Sequence, residues 1–326
     1  MPTLTAEIET FPLRNRFAIS RGSKTETVVV SARLTDGAIV GQGECGPNIR
    51  YGETPESVLE QILACSDDIS GGLTRDALQD RMPAGAARNA LDCALWDFEA
   101  KATGVPAWQT AGVDAPGPVT TAFTLSVDTP DAMAKAAAEN ADRPLLKLKL
   151  TGSDDLARVR AVRDAAPEAQ LIVDANEAWD QDAYDTCVAA FVDMGVALIE
   201  QPFPADADAA LAVLPRPIPV CADESFHDAA SLEALVGKYD LVNIKLDKTG
   251  GLTEALRAGR AARELGFDIM VGCMVGTSLA MAPAFLVAAH ARFVDLDGPL
   301  LLSRDRDPAL AADRSRLSPP ARELWG

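Results

Sequence analysis

The chain has 326 residues, 48% of them hydrophobic and 24% charged, which is enough to build a large core and an accessory domain. A net charge of -18 argues against nucleic acid and anionic membrane surfaces as partners, because their phosphates would be repelled. Met1 to Leu13 holds no continuous apolar segment and no apolar run reaches about 18 residues, so a soluble cytoplasmic protein is expected. The six cysteines, Cys45, Cys65, Cys93, Cys187, Cys221 and Cys273, show no Cys-x-x-Cys and no zinc spacing with histidine. They read as reduced core or pocket residues in a reducing compartment.

Residues 1–114 predict a small α+β capping domain. Alternating runs over 27–34 and 38–44, separated by Asp36-Gly37, predict an antiparallel hairpin. Helical patterns follow over 55–66, 74–81 and 86–103, the last with Ala90, Leu91, Ala94, Leu95 and Phe98 at helical spacing. Two stretches read as loops with glycine and cationic tips: 19–24, carrying Arg21 and Lys24, and 46–52, carrying Arg50. Such loops serve either as lids over a pocket or as ordinary turns with surface charge.

Residues 115–302 change rhythm. Strand-like runs fall at 120–126, 145–150, 171–174, 197–200, 220–223, 241–245, 269–273 and 293–297, with helix-like segments such as 155–166 and 253–265 between them. A strand-to-strand repeat of roughly 25 residues is the size of a βα unit, and eight units make a (β/α)₈ barrel. The expected fold class is therefore α/β, a modified TIM barrel carrying the N-terminal cap, with a tail over 303–326 returning to pack on the cap. In that fold the C-terminal strand ends share one rim.

Asp174, Glu200 and Asp223 end three successive predicted strands. One acidic residue after a strand is usually a helix cap or a solvated turn; three in consecutive units point to a carboxylate metal site. Oxygen ligands without His or Cys suit Mg²⁺, or Mn²⁺, and not zinc. In 145–150 the apolar positions alternate with Lys147 and Lys149, which places both amines on one strand face. Lys149 and Lys245 lie on the second and sixth of eight strands, so across a closed barrel they face each other over the pocket. Burial, a neighbouring amine and a divalent cation would each push such a lysine toward the neutral form a base needs. Asp295 and Asp297 alternate to one face of the last strand, where they would attract a cation. Thr124, Cys273 and Met274 either line the pocket or pack as strand residues.

These stretches resemble the enolase superfamily, in particular its muconate-lactonizing subgroup and the L-Ala-D/L-Glu dipeptide epimerases within it. The matching segments are 50–53 (Arg-Tyr-Gly-Glu), 83–92, 173–177 (Val-Asp-Ala-Asn-Glu), 199–202 (Ile-Glu-Gln-Pro), 222–225, 242–251 and 295–299. Enolase-superfamily sites use a Lys or His base with Mg²⁺ stabilising an ene-diolate. The resemblance implies an isomerase in which Asp174, Glu200 and Asp223 hold Mg²⁺, and Lys149 and Lys245 exchange the α-proton on opposite faces. Lys147 would add charge beside the ene-diolate, and Asp295 with Asp297 would meet the α-ammonium of a dipeptide. Arg21, with Lys24 and Arg50 as competitors, would reach the side-chain carboxylate of a C-terminal glutamate.

The expected partner is thus a small-molecule dipeptide, with homo-oligomerisation left open and murein peptide recycling as the setting. The alternatives are a cycloisomerase, an o-succinylbenzoate synthase, an N-acylamino acid racemase, or a barrel that binds a metal and an acidic ligand without turnover. His227 and His290 do not fall at the sixth or seventh strand end, so a histidine base is not expected, and His227 reads as a plain loop residue.

Overall fold

The computed structural model describes every residue, Met1–Gly326. It begins with a three-stranded antiparallel sheet in the order β1 (Thr3–Ile19), β2 (Gly22–Asp36), β3 (Ile39–Cys45). The first strand has no counterpart among the sequence-predicted elements. Its apolar positions change phase between Ile8 and Phe11, it includes Pro12, which cannot donate to a ladder, and the β1–β2 register shifts between Pro12 and Phe17. The stretch 19–24, expected as a loop, is the tip of this long hairpin, with only Ser20 and Arg21 outside the strands.

Helix Ala86–Thr103 lies across the sheet, and the close approach has a local cause. A Cβ on Gly43 would sit 2.1 Å from the Ala90 carbonyl oxygen, and one on Gly41 would sit 2.4 Å from that of Ala94. The Gly-x-Gly spacing of β3 and the alanines of the helix therefore bring two backbones into contact. Ala90, Leu91, Ala94 and Leu95 are buried in that seam.

Short β4 (Val119–Thr120) precedes eight parallel strands that follow chain order around the sheet: β5 (Phe123–Leu125), β6 (Leu145–Lys149), β7 (Gln170–Asp174), β8 (Val196–Glu200), β9 (Val220–Ala222), β10 (Leu241–Ile244), β11 (Asp268–Val271) and β12 (Phe293–Val294). The first and eighth strands meet where Ala122 N–H donates to the Val294 carbonyl (2.7 Å) and Leu296 N–H to Thr121 Oγ1 (2.8 Å). The two end strands are shorter than expected, and two crossovers carry no α-helix. The first strand spans three residues because Val119 and Thr120 pair instead with β14 (Arg316–Leu317), which follows β13 (Ala312–Asp313) in the tail. The last ends before Asp295, and the crossovers after β8 and β9 carry only the 3₁₀ turns Ala209–Ala212 and Ala229–Leu235.

Strand parity organises the interior. Ala122, Leu145, Ile172, Leu198, Cys221, Leu241, Met270 and Phe293, one for each of the eight strands, form a separate buried cluster. Two residues further along each chain stand Thr124, Lys147, Asp174, Glu200, Asp223, Asn243, Gly272 and Asp295. Period-two alternation thus sets a polar layer directly on an apolar floor. The opposite strand face, with Leu146, Leu148, Val173, Ile199 and Ile244, packs into the large core shared with the surrounding helices.

The tail crosses from barrel to cap. Trp325 Nε1 donates to the Cys93 carbonyl (3.0 Å), and Gly326 N–H to Asp97 (2.8 Å). Arg306 bridges Glu9 and Glu44, at 2.6 Å from each. All six cysteines are free, and no helix is long and apolar enough to cross a membrane.

Candidate active site

Parallel register puts Lys149 beside Asp174 and Asp174 beside Glu200, with Asp223 immediately after β9. Oxygen atoms of Asp174, Glu200 and Asp223 lie within 4.8 Å of one another, and all three residues are buried. Packing three carboxylates this closely is unfavourable without cations. Burial and the neighbouring Asp174 push Glu200 up to about 7. Glu200 Oε2 is buried, with Lys147 Nζ 2.6 Å away as its ion-pair partner and no other donor on it. An all-oxygen triad of buried carboxylates this close together fits a hard divalent cation.

Four lysines surround the triad. Lys149 Nζ is 2.5 Å from Asp174, and Lys147 Nζ lies 3.4 Å from Asp174 and 2.7 Å from Asp295. Lys245 and Lys248 take opposite oxygens of Asp223, each at 2.6 Å. At two of these amines the surrounding carboxylates oppose the downward push of burial. Burial pulls Lys147 down, but Asp295, Glu200 and Asp174 outweigh it and hold the ammonium well above its ordinary value. Burial is likewise outweighed at Lys245 by Asp223 and Glu200. The ammonium groups themselves neutralise the carboxylates here. A divalent cation on the same oxygens would compete with them and reverse the effect.

Several supporting residues have no predicted role. Asn243 donates to Glu200 Oε1 (2.8 Å), and Gly272 opposite makes room, since a Cβ there would lie 2.6 Å from Asn243 Oδ1. Asn176 N–H donates to Asp174 Oδ1 (3.0 Å). Gln201 Oε1 accepts from the N–H groups of Asp223 (2.9 Å) and Ser225 (3.1 Å). Inward parity marks Asn243, and proximity in sequence to a carboxylate marks Asn176 and Gln201. Lys248 has only its one-turn spacing from Lys245 as a signal.

The Asp-x-Asp segment reaches the same chamber with its two members in different states. Asp295 is engaged by Lys147, whereas Asp297 Oδ2 accepts Thr124 N–H (2.6 Å). Burial and the adjacent Asp295 push Asp297 up to about 7. Thr124 therefore stands at the chamber wall. Met274 lies at the seam with the cap, its sulfur accepting from Asn48 Nδ2 (3.4 Å), while neighbouring Cys273 is partly exposed.

From the cap, Arg21 Nη2 reaches Glu224 (2.7 Å), and Arg50 pairs through two nitrogens with Glu177 (2.8 and 2.9 Å). Lys24 donates to Thr27 Oγ1 (3.2 Å). His227 lies in the loop after β9, where its ring packs edge-on against Tyr51 of the cap, with centroids 5.3 Å apart.

The chain matches the family model for the mandelate racemase/muconate lactonizing enzyme N-terminal domain over residues 3–112. Residues 131–313 match the enolase C-terminal domain-like model. The chain belongs to the enolase superfamily, in its mandelate racemase/muconate lactonizing enzyme family. It is 47% identical over 312 residues to an L-Ala-D/L-Glu epimerase of Escherichia coli (strain K12), covering 95% of this chain and 97% of that one. An N-acetyl-D-glutamate racemase of a Pseudoalteromonas species is 46% identical, covering 90% and 93%. Among solved structures, an enolase family member from Agrobacterium tumefaciens with homology to dipeptide epimerases, with bound sodium and L-Ala-L-Glu, superposes with a TM-score of 0.99. It is 52% identical, with full coverage of both chains.

Proposed function

We propose that the chain is a Mg²⁺-dependent dipeptide epimerase that interconverts L-Ala-L-Glu and L-Ala-D-Glu. The observation that carries the mechanism is the placement of Lys149 and Lys245 at opposite ends of the carboxylate triad, one against Asp174 and the other against Asp223. Asp174, Glu200 and Asp223 are the residues that would hold the metal. Bound there, Mg²⁺ supplies a Lewis acid for the substrate carboxylate and for the charge that accumulates when the α-proton leaves.

The protein's own groups do the rest. One of Lys149 and Lys245, as the amine, takes the α-proton from its face of the substrate and becomes an ammonium. The other, as the ammonium, delivers a proton to the opposite face and becomes the amine, so charge balances and the carbon is inverted. Lys147 holds positive charge beside the reacting carboxylate. Asp297, with Asp295, receives the α-ammonium of the N-terminal residue, and Arg21 is the cap cation offered to the glutamate side chain. A dipeptide of this composition supports a role in the recycling of cell-wall peptide within the cytoplasm.

A second reading is racemisation of an N-acyl glutamate. It is favoured by the engagement of Asp295 with Lys147, which leaves one carboxylate, itself shifted toward protonation, to meet an ammonium. Proton NMR in D₂O with Mg²⁺ separates the two. Loss of the glutamate α-proton from both dipeptide diastereomers, with accumulation of the epimer, is the expected result. Exchange of N-acetylglutamate and of neither dipeptide would establish the second reading.

A further inference from the structure

The barrel residue Glu177 bonds to both cap segments at once. Its Oε2 accepts from Arg21 Nη1 (3.1 Å), at the tip of the β1–β2 hairpin, and from Arg50 Nε (2.9 Å), in the turn that follows β3. Its Oε1 accepts from Arg50 Nη2 (2.8 Å) and from the backbone N–H of Ala205 in the barrel (2.9 Å). The Glu177 side chain is only 10% exposed, against 36% for Arg21 and 40% for Arg50, so the fixed member of the pair is the barrel carboxylate.

The backbone aims it. Asn176 and Glu177 both adopt left-handed conformations, with φ of 46° and 68°, an uncommon geometry for residues other than glycine. Glu177 N–H is tied to the Gln201 carbonyl (2.9 Å), and the Asn176 carbonyl, turned toward the cap, accepts from Ser20 Oγ (3.2 Å) and Arg21 Nη1 (2.9 Å). Arg21 has a second carboxylate in Glu224, whereas Glu177 is the only acidic partner of Arg50.

We propose that Glu177 is a positioning residue that latches both cap segments onto the barrel, so that the hairpin tip and the 48–52 turn close over the site as one lid. It touches no reacting atom. It acts by holding Arg21 and Arg50, and only the kinetic part of its test rests on the dipeptide reading above.

The test is amide hydrogen–deuterium exchange of the Mg²⁺-loaded protein without dipeptide, read at residues 20–24 and 48–52. In the parent protein the 48–52 turn is protected by its own bonds, Tyr51 N–H to the Asn48 carbonyl (2.9 Å) and Gly52 N–H to that of Ile49 (3.0 Å). Glu177→Gln accelerates exchange in both segments, by about 2- to 10-fold for a partly exposed ion pair. Arg50→Gln accelerates the 48–52 turn, and the double variant is no faster there than Glu177→Gln alone. Unchanged exchange at 48–52 in Glu177→Gln, or full additivity of the two substitutions, overturns the latch. Should Glu177→Gln not fold, Arg50→Gln decides from the exposed side: accelerated exchange at 48–52 supports the latch and unchanged exchange overturns it.

Turnover adds an independent readout. A loosened lid raises KM for the dipeptide while kcat holds or rises with faster release; a fall in kcat at constant KM also overturns the proposal. If the parent protein does not turn over a dipeptide, the functional reading fails, and the exchange result still decides the latch.

Discussion

Asp297 and Asn243 illustrate two ways in which one side chain sets the chemistry. Asp297 is buried and held by Thr124 N–H, with no internal cation of its own within salt-bridge distance. Replacing it with Asn should raise KM for L-Ala-L-Glu about tenfold, the loss expected for one charged hydrogen bond, with metal affinity unchanged. Steady-state kinetics and Mg²⁺ titration read the two quantities separately, and an unaltered KM would remove the ammonium role. Asn243 acts earlier, by fixing Glu200 before any ligand arrives. Asn243→Leu should weaken Mg²⁺ binding by about 10- to 100-fold, as loss of an outer-shell partner does, measurable by calorimetry. Alternation alone makes the charged inward positions legible in sequence, from Lys147 through Asp295. Glu177 is invisible there, because its function depends on two arginines more than a hundred residues away in the chain.

Among the elements, β3 and helix Ala86–Thr103 show how much of the cap rests on absent side chains. A methyl group at position 43 would overlap a helix carbonyl, so Gly43→Ala should destabilise the protein by about 1–3 kcal/mol or more. Thermal unfolding measures this, and a wild-type melting temperature would show that the seam yields. The helix was readable from its spacing and the β2–β3 hairpin from Asp36-Gly37. The β1 strand was not readable: its apolar positions change phase between Ile8 and Phe11, and the ladder shifts register after Pro12. The 3₁₀ crossovers were equally hidden, since a short turn with Leu232 and Leu235 buried has too few periods to distinguish from a frayed helix.

Cap and barrel are joined across the whole molecule by carboxylates that burial disfavours in charged form. Asp247 accepts Gly46 N–H and Asn89 Nδ2, and burial pushes it up to about 7. Asp92 accepts the N–H and hydroxyl of Thr253, and burial pushes it up to about 6. For an acid whose folded pKa exceeds its unfolded value of about 3.9, the stabilisation is full below that value and is lost as pH rises through the folded pKa. Asp247→Asn should therefore flatten the decline in melting temperature between about pH 4 and 7 relative to the parent. Parallel curves for the two proteins would show that Asp247 does not titrate across that window.

The ring of eight apolar side chains beneath the polar layer has a consequence for proton traffic. Lys147 and the carboxylates stand on a floor that is itself buried, which closes the chamber from below. Water cannot approach the lysines from below, so deuterium from solvent must arrive through the mouth that the cap covers. On the two-base reading, the label that each inversion delivers is deuterium with which Lys149 or Lys245 has been refilled from the cap side.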